Sequence, residues 1–201
     1  MNEKARGAAS ALVLILGIPA LAAPAQAQEQ PVPDAFLAIT TNMTPADAEL
    51  KADVIRWSTD EERAAVIAAL QSEEDRAAAL RELPTVGVVW RSGSAVGHSI
   101  KYSHRSEAAG GGERITLVTD RPIGFTSFRP WEADSPATDA VLDYSVVEMT
   151  VGDGDGGQGT MSLSAPVTID ADAGLVSLEP VDAPPLLTNV REAPKPYWAS
   201  Q

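Results

Sequence analysis

The chain has 201 residues, a formal net charge of −13 and no cysteine. Its length suits a single domain, the missing thiols exclude disulfides and thiolate metal sites together, and the charge opposes phosphate backbones and anionic lipid, so nucleic acid is not an expected partner. No motif in the sequence calls for a cofactor or a metal.

Lys4 and Arg6 give a basic start, an apolar run covers Ala8 to Ala22, and Ala25-Gln26-Ala27 is a small-residue cleavage site. Residues 1–27 therefore read as a signal peptide, and the product is expected in the periplasm or secreted. The apolar run is broken by Gly17 and Pro19, and no later stretch is apolar for the roughly 18 residues a span needs, so no membrane span is expected. Residues 28–34, with Pro31 and Pro33, read as a flexible leader, and residues 35–191 as a single β-rich domain.

Two β-compatible runs, Ala35 to Asn42 and Glu49 to Trp57, flank a loop at Thr44-Pro45-Ala46-Asp47 and predict a first hairpin. Ser58-Thr59-Asp60-Glu61-Glu62 is a helix start in which Thr59 and Glu62 can form a capping box. Ser72-Glu73-Glu74-Asp75 repeats the signal and Pro84 ends the second helix, giving helices near 59–71 and 73–83. Such a pair would lie on a sheet or act as a lid over a barrel mouth.

From Val86 to Phe125 three runs alternate with period two, the pattern of a half-buried antiparallel sheet. Val86, Val88 and Trp90 form the first apolar face. His98, Ile100, Tyr102 and His104 share one side of the second run, with Ser99, Lys101, Ser103 and Arg105 opposite; Ile115 and Leu117 mark the third. Ser92-Gly93-Ser94, Gly110-Gly111-Gly112 and Arg121-Pro122-Ile123-Gly124 are the turns. Phe125 to Arg129 adds a short run, and Ala140 to Val151 is apolar on both sides, which predicts a bulge or burial on both faces. Gly159 to Ile169 alternates throughout, with Met161, Leu163, Ala165, Val167 and Ile169 on one side and Pro166 marking an edge. Leu175 to Glu179 and Leu186 to Val190 complete about ten strands, and residues 192–201 read as a loose tail.

Short connections predict an antiparallel meander, mainly β with a helix pair, curled or closed into a barrel-like sheet, with a two-sheet sandwich as the alternative. Arg56-Trp57-Ser58-Thr59-Asp60-Glu61-Glu62-Arg63, Leu83-Pro84-Thr85-Val86-Gly87, the run from Gly112 to Phe125, and Leu187-Thr188-Asn189-Val190 together resemble a family of uncharacterised exported bacterial proteins. The resemblance spans most of residues 50–191. It implies one continuous domain and no catalytic residues.

Three candidate sites stand beside plainer readings. Gly152-Asp153-Gly154-Asp155-Gly156-Gly157 could wrap a calcium ion, but the EF-hand positions for Gly and Glu hold Gln158 and Ser164 when counted from Asp153, and Asp-Gly is foremost a hairpin turn. His98 and His104 are six residues apart, about 20 Å along a strand, which excludes a shared metal ion but leaves each as a polar group in a pocket or at a sheet rim. Asp120 and Arg121 could clamp an anion or substrate, or serve as a turn carboxylate and a solvated cation. No Gly-x-Ser-x-Gly elbow occurs.

The leading expectation is a non-enzymatic binding module whose interior, lined by Trp90, His98, Ile100, Tyr102, His104, Leu117, Met161 and Leu163, takes a small apolar ligand. The alternative is an envelope or extracellular interaction domain with a solid core and an envelope protein as partner. A hydrolase is the third reading.

Overall fold

Alternating strands joined by short turns favour pairing with their neighbours in the chain, and here the pairing runs on until the sheet meets itself. The computed structural model describes residues 33–41, 43–44, 47–72, 75–123, 132–133, 143–152, 156–162, 167–180 and 186–194, all within the compact unit Pro31–Gln201. The strands are β1 (Asp34–Thr41), β2 (Met43–Thr44), β3 (Glu49–Val54), β4 (Gly87–Arg91), β5 (His98–Glu107), β6 (Glu113–Thr119), β7 (Glu132–Ala133), β8 (Val146–Val151), β9 (Gly157–Met161), β10 (Val167–Asp170), β11 (Leu175–Leu178) and β12 (Leu186–Glu192). Eight of them close an antiparallel barrel in the order β1-β12-β9-β8-β6-β5-β4-β3, while β10 pairs β11 and β2 pairs β7 in two small sheets. The expected first hairpin is β1 with β3, in continuous register from Asp34↔Val54 to Ile39↔Glu49.

Side chains that point into the barrel make the inner core. Phe36, Ala38, Leu50, Ala52, Val54, Val89, Ile100, Ile115, Leu117, Val147, Met149, Met161, Leu187 and Val190 form one buried cluster with Val86 and Ile123. Eight strands enclose a space that such side chains can fill. Phe36, Leu50, Ile100, Leu117, Met161 and Leu187 are all essentially without solvent exposure.

A β-bulge decides which residues belong to that core. The β5–β6 register runs Ile100↔Thr119 and then Tyr102↔Val118, so Lys101 is the extra residue. Beyond it every side chain changes face: Ile100 points in, Tyr102 and His104 point out, and Ser103 and Arg105 point in opposite Leu117 and Ile115. The expectation that Ile100 and Tyr102, or His98 and His104, share one face is thereby corrected. On β4 the alternation is also shifted. Gly87 takes an inward place, where a Cβ would lie 2.5 Å from the Asp53 carbonyl oxygen, Val89 pairs inward Ala52, and Trp90 faces out beside Lys51.

Outside the wall of β5, β6 and β8 lies a second core. Helices α1 (Asp60–Gln71) and α2 (Arg76–Glu82) and the β10–β11 hairpin bring Val66, Ile67, Leu70, Leu80 and Val176 against Tyr102, Val118, Tyr144 and Val146. The pair thus lies on the outer wall, the first of its two expected placements, and is not a lid over a mouth. The capping box is as expected: the Glu62 amide donates to Thr59 Oγ1 at 3.2 Å and the Thr59 amide to Glu62 Oε2 at 3.0 Å. Arg56 grips the same carboxylate through two hydrogen bonds of 2.6 Å, and this contact above all lowers the Glu62 pKa to about 2. Ser72 closes α1, and Asp75, accepting from the Ala78 amide at 2.9 Å, opens α2. The start therefore lies later than the sequence signal suggested.

Lys101 is 5% exposed, and its Nζ donates to Arg81 O, Leu83 O and Thr85 Oγ1 at 3.2, 2.7 and 3.1 Å. All three ammonium donors are used on the end of α2, where carbonyls lack helical partners. The bulge therefore sets two consecutive side chains, Lys101 and Tyr102, on the outer side, and Lys101 ties the outer layer to the wall.

The run from Gly159 to Ile169 is not one strand. Its first part is β9 in the barrel, and its last part is β10 in the outer hairpin. Between them Ser162 is buried, its Oγ accepting from the Val146 amide at 2.7 Å, and residues 163–166 lie outside the described residues. Val146 and Val147 belong to the outer and inner cores respectively, so burial on both faces accounts for the apolar character of β8. No helix among the described residues is long and apolar enough to cross a membrane.

Candidate functional site at the barrel ends

The described residues expected to line one pocket are divided among four places, with His98 at one end of the barrel. Ile100, Leu117 and Met161 meet inside the barrel. Tyr102 and His104 stand on the outer wall with ring centroids 6.3 Å apart, the tyrosine hydroxyl donating to Gly174 O at 3.0 Å. Burial, reinforced by Arg63, holds the His104 pKa below its ordinary value against the pull of Asp60. Trp90 lies outside with Lys51 Nζ 5.4 Å from its ring centroid, in a surface cleft of about 260 Å³ that also includes Glu49, Arg91, Ser92 and Ser94. Leu163 is outside the described residues, as are Asp153 and Asp155 of the acidic turn. Among the described residues no group of three or more His, Asp or Glu could hold a metal ion.

The two ends of the barrel differ in chemistry. At end A, where β1 and β6 begin and β5, β8 and β12 finish, Arg105 occupies a late inward position of β5. Its guanidinium carbon sits 4.4 Å from the Trp57 ring centroid, with Nη2 3.1 Å from Asp34 Oδ2 and Nε 3.3 Å from Glu113 Oε2. Trp57 Nε1 donates to the same Asp34 oxygen at 3.0 Å and meets Phe36 edge-on, with centroids 6.5 Å apart. The rim is thus a paired, stacked charge cluster resting on the inner core. Beside it opens a cleft of about 470 Å³ lined by Arg105, Glu113, Val151, Val190, Arg191 and Glu192. Arg105 is missed by an uninterrupted alternation. A count along β5 that allows for the bulge places it inward, where a polar residue marks a rim.

End B, at the start of β5 and the exit of β6, brings together three residues that the sequence put in two separate sites. His98 is 1% exposed and pairs with inward Val89. Its Nδ1 has no hydrogen-bond partner, and neither has Asp120 Oδ1, on a residue only 7% exposed. Arg121 Nε is 3.5 Å from that oxygen, and its Nη2 donates to Gly97 O at 3.4 Å. Burial above all, then the Arg121 charge, lowers the His98 pKa, while Asp120 opposes them. Thr119 and Ser145 stitch the strand ends below: the Thr119 amide donates to Ser145 O at 2.9 Å, and the Ser145 amide to Thr119 Oγ1 at 2.9 Å. Ser145 Oγ also accepts from the Ile123 amide at 3.0 Å.

A search of protein-family models, of curated proteins and of solved structures finds no match to this chain. What the site can do is therefore argued from its geometry alone.

Proposed function

We propose that this chain is an exported, non-enzymatic binding protein that works as a filled barrel, meeting a polar partner at end A rather than enclosing an apolar ligand. The observation that carries this reading is the inner core itself: Phe36, Leu50, Ile100, Ile115, Leu117, Met161 and Leu187 occupy the space an enclosed ligand would need. An eight-stranded barrel holds either its own side chains or one small ligand. At end A the cleft instead offers guanidinium and carboxylate groups of both signs above Val151 and Val190. Such a lining suits a charged segment of an envelope protein better than a hydrocarbon chain, because desolvated charges need partners.

The test uses two probes on the purified protein, laurate and a short Lys- and Glu-containing peptide, each titrated under methyl and backbone NMR. The peptide is expected to shift Glu113, Val151 and Glu192 while laurate leaves the Ile100 and Leu117 methyls unmoved. Stoichiometric laurate binding that moves those methyls, or hydrocarbon co-purifying at one per chain in mass spectrometry, would overturn the reading.

A further inference from the structure

Native interiors leave few buried polar atoms without a partner, because such an atom loses its hydrogen bonds to water and gains none. End B has two atoms that lack a hydrogen-bond partner, His98 Nδ1 and Asp120 Oδ1, the second held only at ion-pair distance from Arg121. A neutral imidazole tolerates the position, since it carries no net charge to desolvate and one of its ring nitrogens bears no proton. An imidazolium does not. It would be a cation shut away from water, with the Arg121 guanidinium nearby and Asp120 already engaged by that arginine at 3.5 Å. The charged groups acting on His98 are Arg121 and Asp120, both at the exit of β6. From β4 it has Val89 at the paired position, and Ile100 is the next inward residue along β5.

We propose that end B is an acid-released latch: neutral His98 keeps the paired ends of β4, β5 and β6 shut, and its protonation drives them apart. The sign comes from linkage. Burial lowers the imidazole pKa in the closed form below the 6.5 of a free histidine, so the open form binds the proton more readily. Closure is complete above about pH 6.5 and weakens as the pH falls from there towards the lower, closed-form value. At end A the rim charges are an arginine and carboxylates paired with one another, and the second histidine, His104, stands on the outer wall against Tyr102 rather than in the rim. Acid should therefore open one end before the other.

The chain has two histidines, which makes the test direct. Imidazole NMR signals, assigned with a His104→Gln variant, and amide hydrogen exchange are recorded together from about pH 7.5 to about pH 5. The amides of Thr119 and Asp120, which donate to Ser145 O and Ser99 O, should lose about tenfold or more of their protection as His98 titrates. Those of the β5–β6 ladder near Arg105 and Ile115 should not. His98→Gln should keep the end-B protection at about pH 5, and Arg121→Gln, which removes a charge that lowers the His98 pKa in the closed form, should shrink the acid-driven loss of protection. If the glutamine variant does not fold, the unmodified chain still decides. Coincidence of His98 protonation with end-B opening supports the latch. A His98 that protonates with no change in those amides, or opening that proceeds alike at both ends, overturns it.

Discussion

Leu117 and Val118 are neighbours in the chain and members of different cores. Leu117 faces the barrel interior with Ile100 and Met161, whereas Val118 faces the layer built from α1, α2 and the β10–β11 hairpin. The inner core is closed by strand pairing on every side, and removing the outer layer breaks none of its ladders. The outer core has no such closure. It depends on helix caps, on Lys101 and on contact with a wall that is already formed, so the two should differ in how cooperatively they are lost.

The largest effect should come from the inside. Leu117→Ala removes a fully buried side chain from a space that strands cannot easily collapse into, and a loss of about 2–5 kcal/mol is expected in denaturant unfolding, with both layers lost in one transition. A loss confined to the helices would contradict the ranking. Lys101→Met keeps the stem but leaves the carbonyls of Arg81 and Leu83 without their donor. About 1–3 kcal/mol should be lost, and hydrogen exchange should show α2 opening while the barrel ladders stay protected. The smallest is Thr59→Ala, which deletes one half of the capping box at about 1 kcal/mol, and it should raise exchange in the first turn of α1 alone. Equal destabilisation of the barrel by all three variants would merge the two cores into one unit.

Much of the frame was legible because its signals are local. The first hairpin, the Thr59–Glu62 box and the glycine turns each rest on a few adjacent residues, and Gly112, at φ 78°, shows why the β5–β6 turn needed a residue without a Cβ. The bulge was not legible, since it leaves no mark in a run where residues on both faces are buried. His98, Ile100, Lys101, Tyr102 and Ser103 are all shielded from water, so the alternation continues on paper after it has reversed in space. Trp90 misled for a related reason. An indole on an alternating run reads as core, yet here Lys51 shields it outside. The run from Gly159 to Ile169 alternated smoothly across a change of sheet, because both cores ask for the same pattern. The nearness of His98 to the charges of Asp120 and Arg121 comes from two strands meeting at one end of the barrel, which no spacing along the chain encodes.

The single supernumerary residue at Lys101 also fixes how this barrel tolerates change. Deleting that one position would leave Tyr102 opposite Val118 and Ser103 opposite Leu117, so both compartments would keep their contents and lose only the tether to α2. A lone deletion or insertion beyond Tyr102, with the bulge kept, would instead carry inward residues out and outward residues in, whereas substitutions on this strand are local events.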